Sequence, residues 1–376
     1  MTVYLDNSAT TPICAEAAEK MAFVMKNCYG NPSSAHHMGR MARGVMEEAR
    51  ENVARALGCS SEEICFTSGG TEADNIAIFG ACGRLRHDGR HVITTAYEHD
   101  AVLKPFERLR DGGWDVTFLK PDKSGTVSAE EFEKALRPDT VFASVMLVNN
   151  ETGNVNDVSK MAKALKANNS RALFHTDAVQ AFCKIDASPK ATGADLISVS
   201  AHKIHGPKGA GALYIRKGVK IDPLTLGGGQ ERGMRSGTEG LYAIAGFGEA
   251  AKIGKEKMKE SSELFRELRA RMIGGVKSFS DDAVVIGGGA DHILCMSFPG
   301  YRSEVLLNYL DAKGVCVSKG SACKRGARSH VLTAMGLDAR IIDGALRFSF
   351  SRYNTIEEID YTVRMIKEAT ERLIKT

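Results

Sequence analysis

Lys203 stands in the stretch SVSAHKIHGPKGAGALYI (residues 198–215), boxed in by His202 and His205 directly after the apolar run ADLISVS (194–200). A long cation placed where a buried strand ends calls for a use, and a desolvated lysine amine is a nucleophile toward carbonyl carbon. Other reactive side chains follow other apolar runs in the same way. After EICFT comes SGGTEADN, whose Gly70 and Thr71 open a predicted helix, where backbone N–H groups and a hydroxyl attract an anion. His99 comes after HVITT, and Asn150 lies in LVNNETG behind the most apolar run. Asp177 and Gln180 follow ALFHT, and Ser200 and His202 immediately precede the lysine.

Each of these has a plain structural reading. Glycine-rich turns are common, a histidine at a helix start is an ordinary cap, and a lysine near acids is an ion pair. Taken together, they are the set that pyridoxal phosphate (PLP) requires. Lys203 takes the aldehyde, and Asp177 keeps the ring nitrogen protonated so that the ring accepts electrons. Hydroxyls, an imidazole and helix-terminal N–H groups neutralise the phosphate. A nucleoside-triphosphate P-loop is not indicated, because G-x-x-x-x-G-K-[ST] does not occur. GGGQERG (227–233) superficially matches a dinucleotide fingerprint but follows no strand.

Such residues act together only if the chain brings them to one place. From about residue 60 to 215, short apolar runs alternate with amphipathic stretches, which predicts an α/β unit with a mostly parallel, seven-stranded sheet covered on both faces. The seven runs are 63–67, 91–95, 115–119, 140–148, 172–176, 195–200 and 211–215, with helices such as 101–113 and 157–169 between them. Ligands of open α/β sheets bind beyond the carboxyl ends of the strands, and that is where every candidate residue falls. Residues 231–273 read as one long helical connection, after which the pattern becomes that of a smaller α+β unit. The strand-like first dozen residues are expected to pack with it. The expected division is therefore 13–255 for the large unit, with 1–12 and 256–376 for the small one.

Composition narrows the function class. Of 376 residues, 43% are hydrophobic and 26% charged, as in an ordinary globular protein. The net charge of +4 is small and basic residues do not interleave with aromatics, so no nucleic-acid partner is expected. No apolar run is long enough to span a bilayer and no secretory signal is evident, which predicts a cytoplasmic protein with no membrane partner. The nine cysteines are odd in number and never spaced C-x-x-C, which argues against a metal site or a disulfide framework.

Eight motifs then occur in order: YLDNSATTP (4–12), SGGTEADN (68–75), EHDAVL (98–103), NNETG (149–153), HTDAVQ (175–180), SAHKIHGPKGAGALYIR (200–216), GGGQERGMRSGTE (227–239) and GSAC (320–323). With them the chain resembles the cysteine desulfurases of the NifS/IscS type, class V aminotransferases of PLP fold type I, over nearly its whole length. The resemblance implies that Lys203 carries PLP and later moves the substrate Cα proton. It implies that Asp177 pairs with the ring nitrogen, Gln180 bonds the ring oxygen, and His99 stacks on the ring and serves acid–base steps. Gly70, Thr71, Ser200 and His202 would hold the phosphate. Thr238 would reach the phosphate of a partner subunit, making a homodimer. Arg347, assisted by Asn150, would clamp the substrate carboxylate.

Cys323 is implied to take sulfur from L-cysteine as a persulfide, releasing alanine, and to pass it to an acceptor protein such as an iron–sulfur scaffold or a tRNA-thiolation enzyme. Lys324, Arg325 and Arg328 after it would favour the thiolate or dock an acidic acceptor; the plain alternative is a solvated basic loop. Two departures stand out. Five residues, KRGAR, separate Cys323 from Ser329 where the family has about seven, and Lys319 occupies a position where serine is common. Cys316 is a possible second thiol, although core packing is the simpler reading. The competing readings are a selenocysteine lyase, another class V lyase or aminotransferase, and a non-catalytic PLP-binding scaffold.

Overall fold

The computed structural model describes residues 2–319 and 328–375. The seven apolar runs become β2 (Ile64–Thr67), β3 (His91–Thr95), β4 (Asp115–Leu119), β5 (Thr140–Ser144), β6 (Leu173–Asp177), β7 (Leu196–Ser200) and β8 (Gly211–Ile215); a short strand, β1 (Val3–Tyr4), precedes them. They form one sheet in the order β2-β8-β7-β6-β5-β3-β4. Only β8 is antiparallel to its neighbours, so β2 through β7 run in one direction and their carboxyl ends share one edge. Strands β3, β5, β6 and β7 are buried along their whole length, as helices on both faces require, whereas edge strand β4 is partly open.

The run 140–148 is strand only as far as Ser144. The chain then stays beside β6 through the Val145 and Leu147 N–H groups, which donate to the carbonyls of His175 and Asp177, before turning at Asn149. The run is apolar because it is buried, and burial does not require a regular ladder.

Residues 231–273 are not one helix. The helices are Leu241–Glu256 and Met258–Lys277, separated at Lys257, and the only helical turn before them is Glu231–Gly233. Glycines keep 227–240 irregular: Gly229, Gly233 and Gly237 all have positive φ. Gly248 then lets the first helix press against His37–Leu57, since a Cβ there would lie 2.5 Å from the Ala49 Cα.

A second, antiparallel sheet has the order β12 (Ala345–Ser349), β10 (Ile293–Ser297), β9 (Val284–Ile286). Of residues 2–12 only β1 is strand, pairing in parallel with β11 (Val315–Cys316). Val3 and Leu5 share an apolar core with Phe265, Leu294, Phe348 and Ile359. The Asn7 amide donates to the Ser349 carbonyl at 2.8 Å, so the N-terminal segment lies between the two sheets.

Glu231, inside the glycine-rich motif, is structural. Its carboxylate takes two 2.8 Å bonds from Arg50 and a third from the Phe66 N–H on β2, all buried. Removing one partner strands a buried charge. Glu231→Ala is expected to lower unfolding free energy by about 3–5 kcal/mol, read as a reduced urea midpoint, while the exposed pair Lys104–Glu107 can be lost with little effect.

Candidate active site

The common carboxyl edge of β2, β3, β5, β6 and β7 opens into a cavity of about 360 Å³. Lys203 enters it from the turn after β7. Its Nζ donates to the Ser8 and Ala9 carbonyls, both at 2.7 Å, and among the described residues no carboxylate pairs with it directly. Burial, reinforced by the Arg347 guanidinium, pushes the amine down to about 8. A lysine so held supplies neutral amine near physiological pH.

The other strand ends surround it. Asp177 closes β6, its Oδ1 accepting from the Val179 N–H at 2.9 Å, and Gln180 donates to the Ser8 carbonyl at 2.9 Å. Ser200 closes β7 with its hydroxyl buried and without a partner, and His202 contacts the Thr10 hydroxyl at 3.2 Å. Burial and the neighbouring Lys203 push His202 down to about 4, so it is neutral. His99 caps the helix Asp100–Asp111, accepting from the Ala101 N–H. Gly70 and Thr71 start the helix Gly70–Leu85. A Cβ on Gly70 would stand 2.7 Å from Val179, so the backbone approaches the cavity there because glycine permits it.

Arg347 reaches in from β12. It is buried, donating from Nη2 to Asp6 at 2.7 Å and from Nη1 to the Asn150 carbonyl at 2.8 Å. Its Nε, the Asn150 Oδ1 and the Gln180 Oε1 are buried without partners. So many unsatisfied polar groups on one concave surface mark a place built to receive a polar ligand. The arrangement suits PLP, with an amine, a buried acid, and a hydroxyl, imidazole and helix start for the phosphate.

Two expected residues stand apart. Thr238 is exposed and does not line this cavity. Cys323 lies outside the described residues, as do Lys324 and Arg325. The chain on either side of them abuts the site. Ser318 pairs through its backbone with Arg347, Ser329 donates to Glu151 at 2.5 Å, and the His330 ring lies 3.0 Å from the Glu98 carbonyl. Arg328 is held by Asp343 through two 2.7 Å bonds, so its charge is matched. Lys319 is paired with Glu304. Cys316, on β11, has its thiol raised by burial, which disfavours the thiolate.

Asp6, Asp74, Glu98, Glu151 and His175 fall inside the ordered motifs but were not among the expected site residues. The alternation along β6 puts His175 on the face of Asp177.

The chain matches the family model described as "Aminotransferase class-V" over residues 3–362. It is 42% identical to "Cysteine desulfurase IscS" of Dictyoglomus turgidum, over 99% of this chain and 95% of that one. It is also 42% identical to "Putative cysteine desulfurase IscS 1" of Bacillus subtilis, over 99% of both chains. Among solved structures, a "NifS-like protein" superposes with a TM-score of 0.93 at 41% identity, covering 99% of this chain and 100% of that one.

Burial pushes the Glu98 carboxyl up from 4.5 to about 8, although Thr95 Oγ1 at 2.6 Å and the Met146 N–H at 2.9 Å both bond it. A carboxyl raised on folding contributes stability that is present in acid and lost as pH rises through the folded value. Glu98→Gln, which does not titrate, is expected to gain stability relative to wild type as pH increases from 4.5 to about 8, followed by urea midpoints across that range. A constant difference would contradict this.

Proposed function

The chain belongs to the class V aminotransferase family, and from that premise we propose that it is a PLP-dependent cysteine desulfurase. Its substrate is L-cysteine, its products are L-alanine and a persulfide on Cys323, and the sulfur passes on to an acceptor protein. The observation that carries this reading is the desolvated Lys203 amine facing the buried Asp177 carboxyl, with unpartnered Ser200, Gln180 and Arg347 atoms around the same cavity.

Bound PLP supplies an electron sink that makes the substrate Cα–H and C–S bonds labile. Lys203 would hold the cofactor and its amine would move the Cα proton. Asp177 would serve the ring nitrogen, Gln180 the ring oxygen, and His99 would act as an acid–base group beside the ring. Gly70, Thr71, Ser200 and His202 would hold the phosphate. Arg347, whose fork suits a carboxylate better than a lysine would, clamps the substrate with Asn150. The Cys323 thiolate takes the substrate sulfur. The anchoring of Ser318 and Ser329 beside Arg347 and Glu151 supports that role, because it brings both flanks of segment 320–327 to the cavity. With Arg328 engaged by Asp343, Lys324 and Arg325 are the cations left to favour the thiolate or meet an acidic acceptor.

We assign residues 13–255 to the large unit and residues 1–12 with 256–376 to the small one, supported by the separate core that Val3 and Leu5 share with later residues. The working form is a homodimer in which Thr238 serves the partner's phosphate. Phe23, Tyr29, Leu226 and Tyr242 support this, each about half or more exposed. A cytoplasmic location fits the eight described cysteines, all of them free. No described helix is long and apolar enough to cross a membrane.

Purified protein given PLP and L-cysteine is expected to release alanine and to carry extra sulfur on Cys323, mapped by mass spectrometry. Lys203→Ala should lose the visible cofactor band, and Cys323→Ala should keep the band but lose the persulfide. Sulfur release surviving in Cys323→Ala would show that another thiol acts. Light scattering should give twice the chain mass, and Leu226→Asp should shift it toward one.

A further inference from the structure

Beneath the cavity lies a carboxyl that the proposed chemistry leaves unused. Asp74 sits one turn into the helix Gly70–Leu85, is 1% exposed, and lines the same cavity as Asp177. Its Oδ1 has no hydrogen-bond partner among the described residues, and His175 Nε2 lies 3.6 Å away. That imidazole is engaged elsewhere, with Ser144 Oγ 2.8 Å from Nδ1 and Ser198 Oγ 2.9 Å from Nε2. Burial pushes His175 down to about 3, so it stays neutral and cannot balance a carboxylate.

Two ionised carboxyls cannot coexist cheaply in so dry a space, and one proton relieves them. Burial and the Asp177 charge both raise Asp74, opposed by the Ser198 hydroxyl. Burial raises Asp177 as well, but the Val179 N–H, His99 and Lys203 all oppose that rise, whereas only the Ser198 hydroxyl opposes it at Asp74, so Asp177 is the better anion. Glu98, the remaining acid acting on Asp74, has the Thr95 hydroxyl and the Met146 N–H as its own donors.

We propose that Asp74 is a positioning residue that carries a proton and donates it as a hydrogen bond toward Asp177, leaving Asp177 as the single negative charge that would serve the ring nitrogen of PLP. The effect on PLP rests on the function proposed above, while the protonation of Asp74 is a property of the protein alone.

The infrared spectrum of the cofactor-free protein at neutral pH should contain, beside the protonated carboxyl of Glu98, a second protonated-carboxyl component that disappears in Asp74→Asn. PLP titrations followed by visible absorbance should give a dissociation constant raised about tenfold or more in Asp74→Ala, with Asp74→Asn, which still donates, within about threefold of wild type. An unchanged infrared spectrum overturns the assignment, and so does an Asn variant that binds as poorly as the Ala variant. Should Asp74→Ala fail to fold, the infrared comparison decides. A wild type that binds no PLP overturns the proposed function itself, whereas a PLP-binding wild type without that second component overturns only the role of Asp74.

Discussion

The ammonium of Lys203, taken out of water and braced on two carbonyl oxygens, is the contact on which the rest of the site depends. Carbonyl dipoles satisfy its N–H groups without matching its charge, so the amine keeps a low proton affinity instead of settling into an ion pair. Those carbonyls belong to Ser8 and Ala9, and Gln180 ties to the same Ser8 carbonyl. Asp6, two residues earlier, holds Arg347. A strap of four residues thus positions the amine of one sheet, the amide at the end of a second strand and the guanidinium of the other sheet. The geometry of the reactive groups is only as good as the seating of that strap.

Charge compensation around the cavity follows the same economy. Arg347 has one carboxylate neighbour and one carbonyl, with Nε left open. Asp177 has one backbone donor, and Ser200 has none. Where the fold needs rigidity it uses full satisfaction, as in the Arg50–Glu231 pair with its third bond to Phe66. Where a ligand is to bind, it leaves valences unfilled.

Much of this was legible in the chain itself. Buried strands advertise themselves as short apolar runs, and β3, β5, β6 and β7 are legible to within a few residues because burial on both faces writes the same signal along every position, while the partly open β4 is marked only by its β-branched and aromatic residues. The residues beyond their carboxyl ends could therefore be read as one group. Boundaries failed where apolarity and regular pairing part company: Val145 to Val148 are buried yet off the ladder. They failed again where glycines interrupt a helical pattern, as in 227–240. The buried acids were illegible for a different reason. Asp74 and Glu98 look like ordinary surface carboxyls in one dimension, and only the packing of helix against sheet removes them from water.

The N-terminal strap has a consequence for how the molecule is made. Asn7 binds Ser349 across 342 positions, and β1 waits for β11. During translation the seven-stranded sheet has all its strands once residue 215 has left the ribosome. Yet Leu5, Asp6 and Asn7 lack their partners Cys316, Arg347 and Ser349 until β11 and β12 emerge. Between those two points the nascent chain carries the full set of sheet strands with an unassembled reaction centre, so that activation coincides with the arrival of β12.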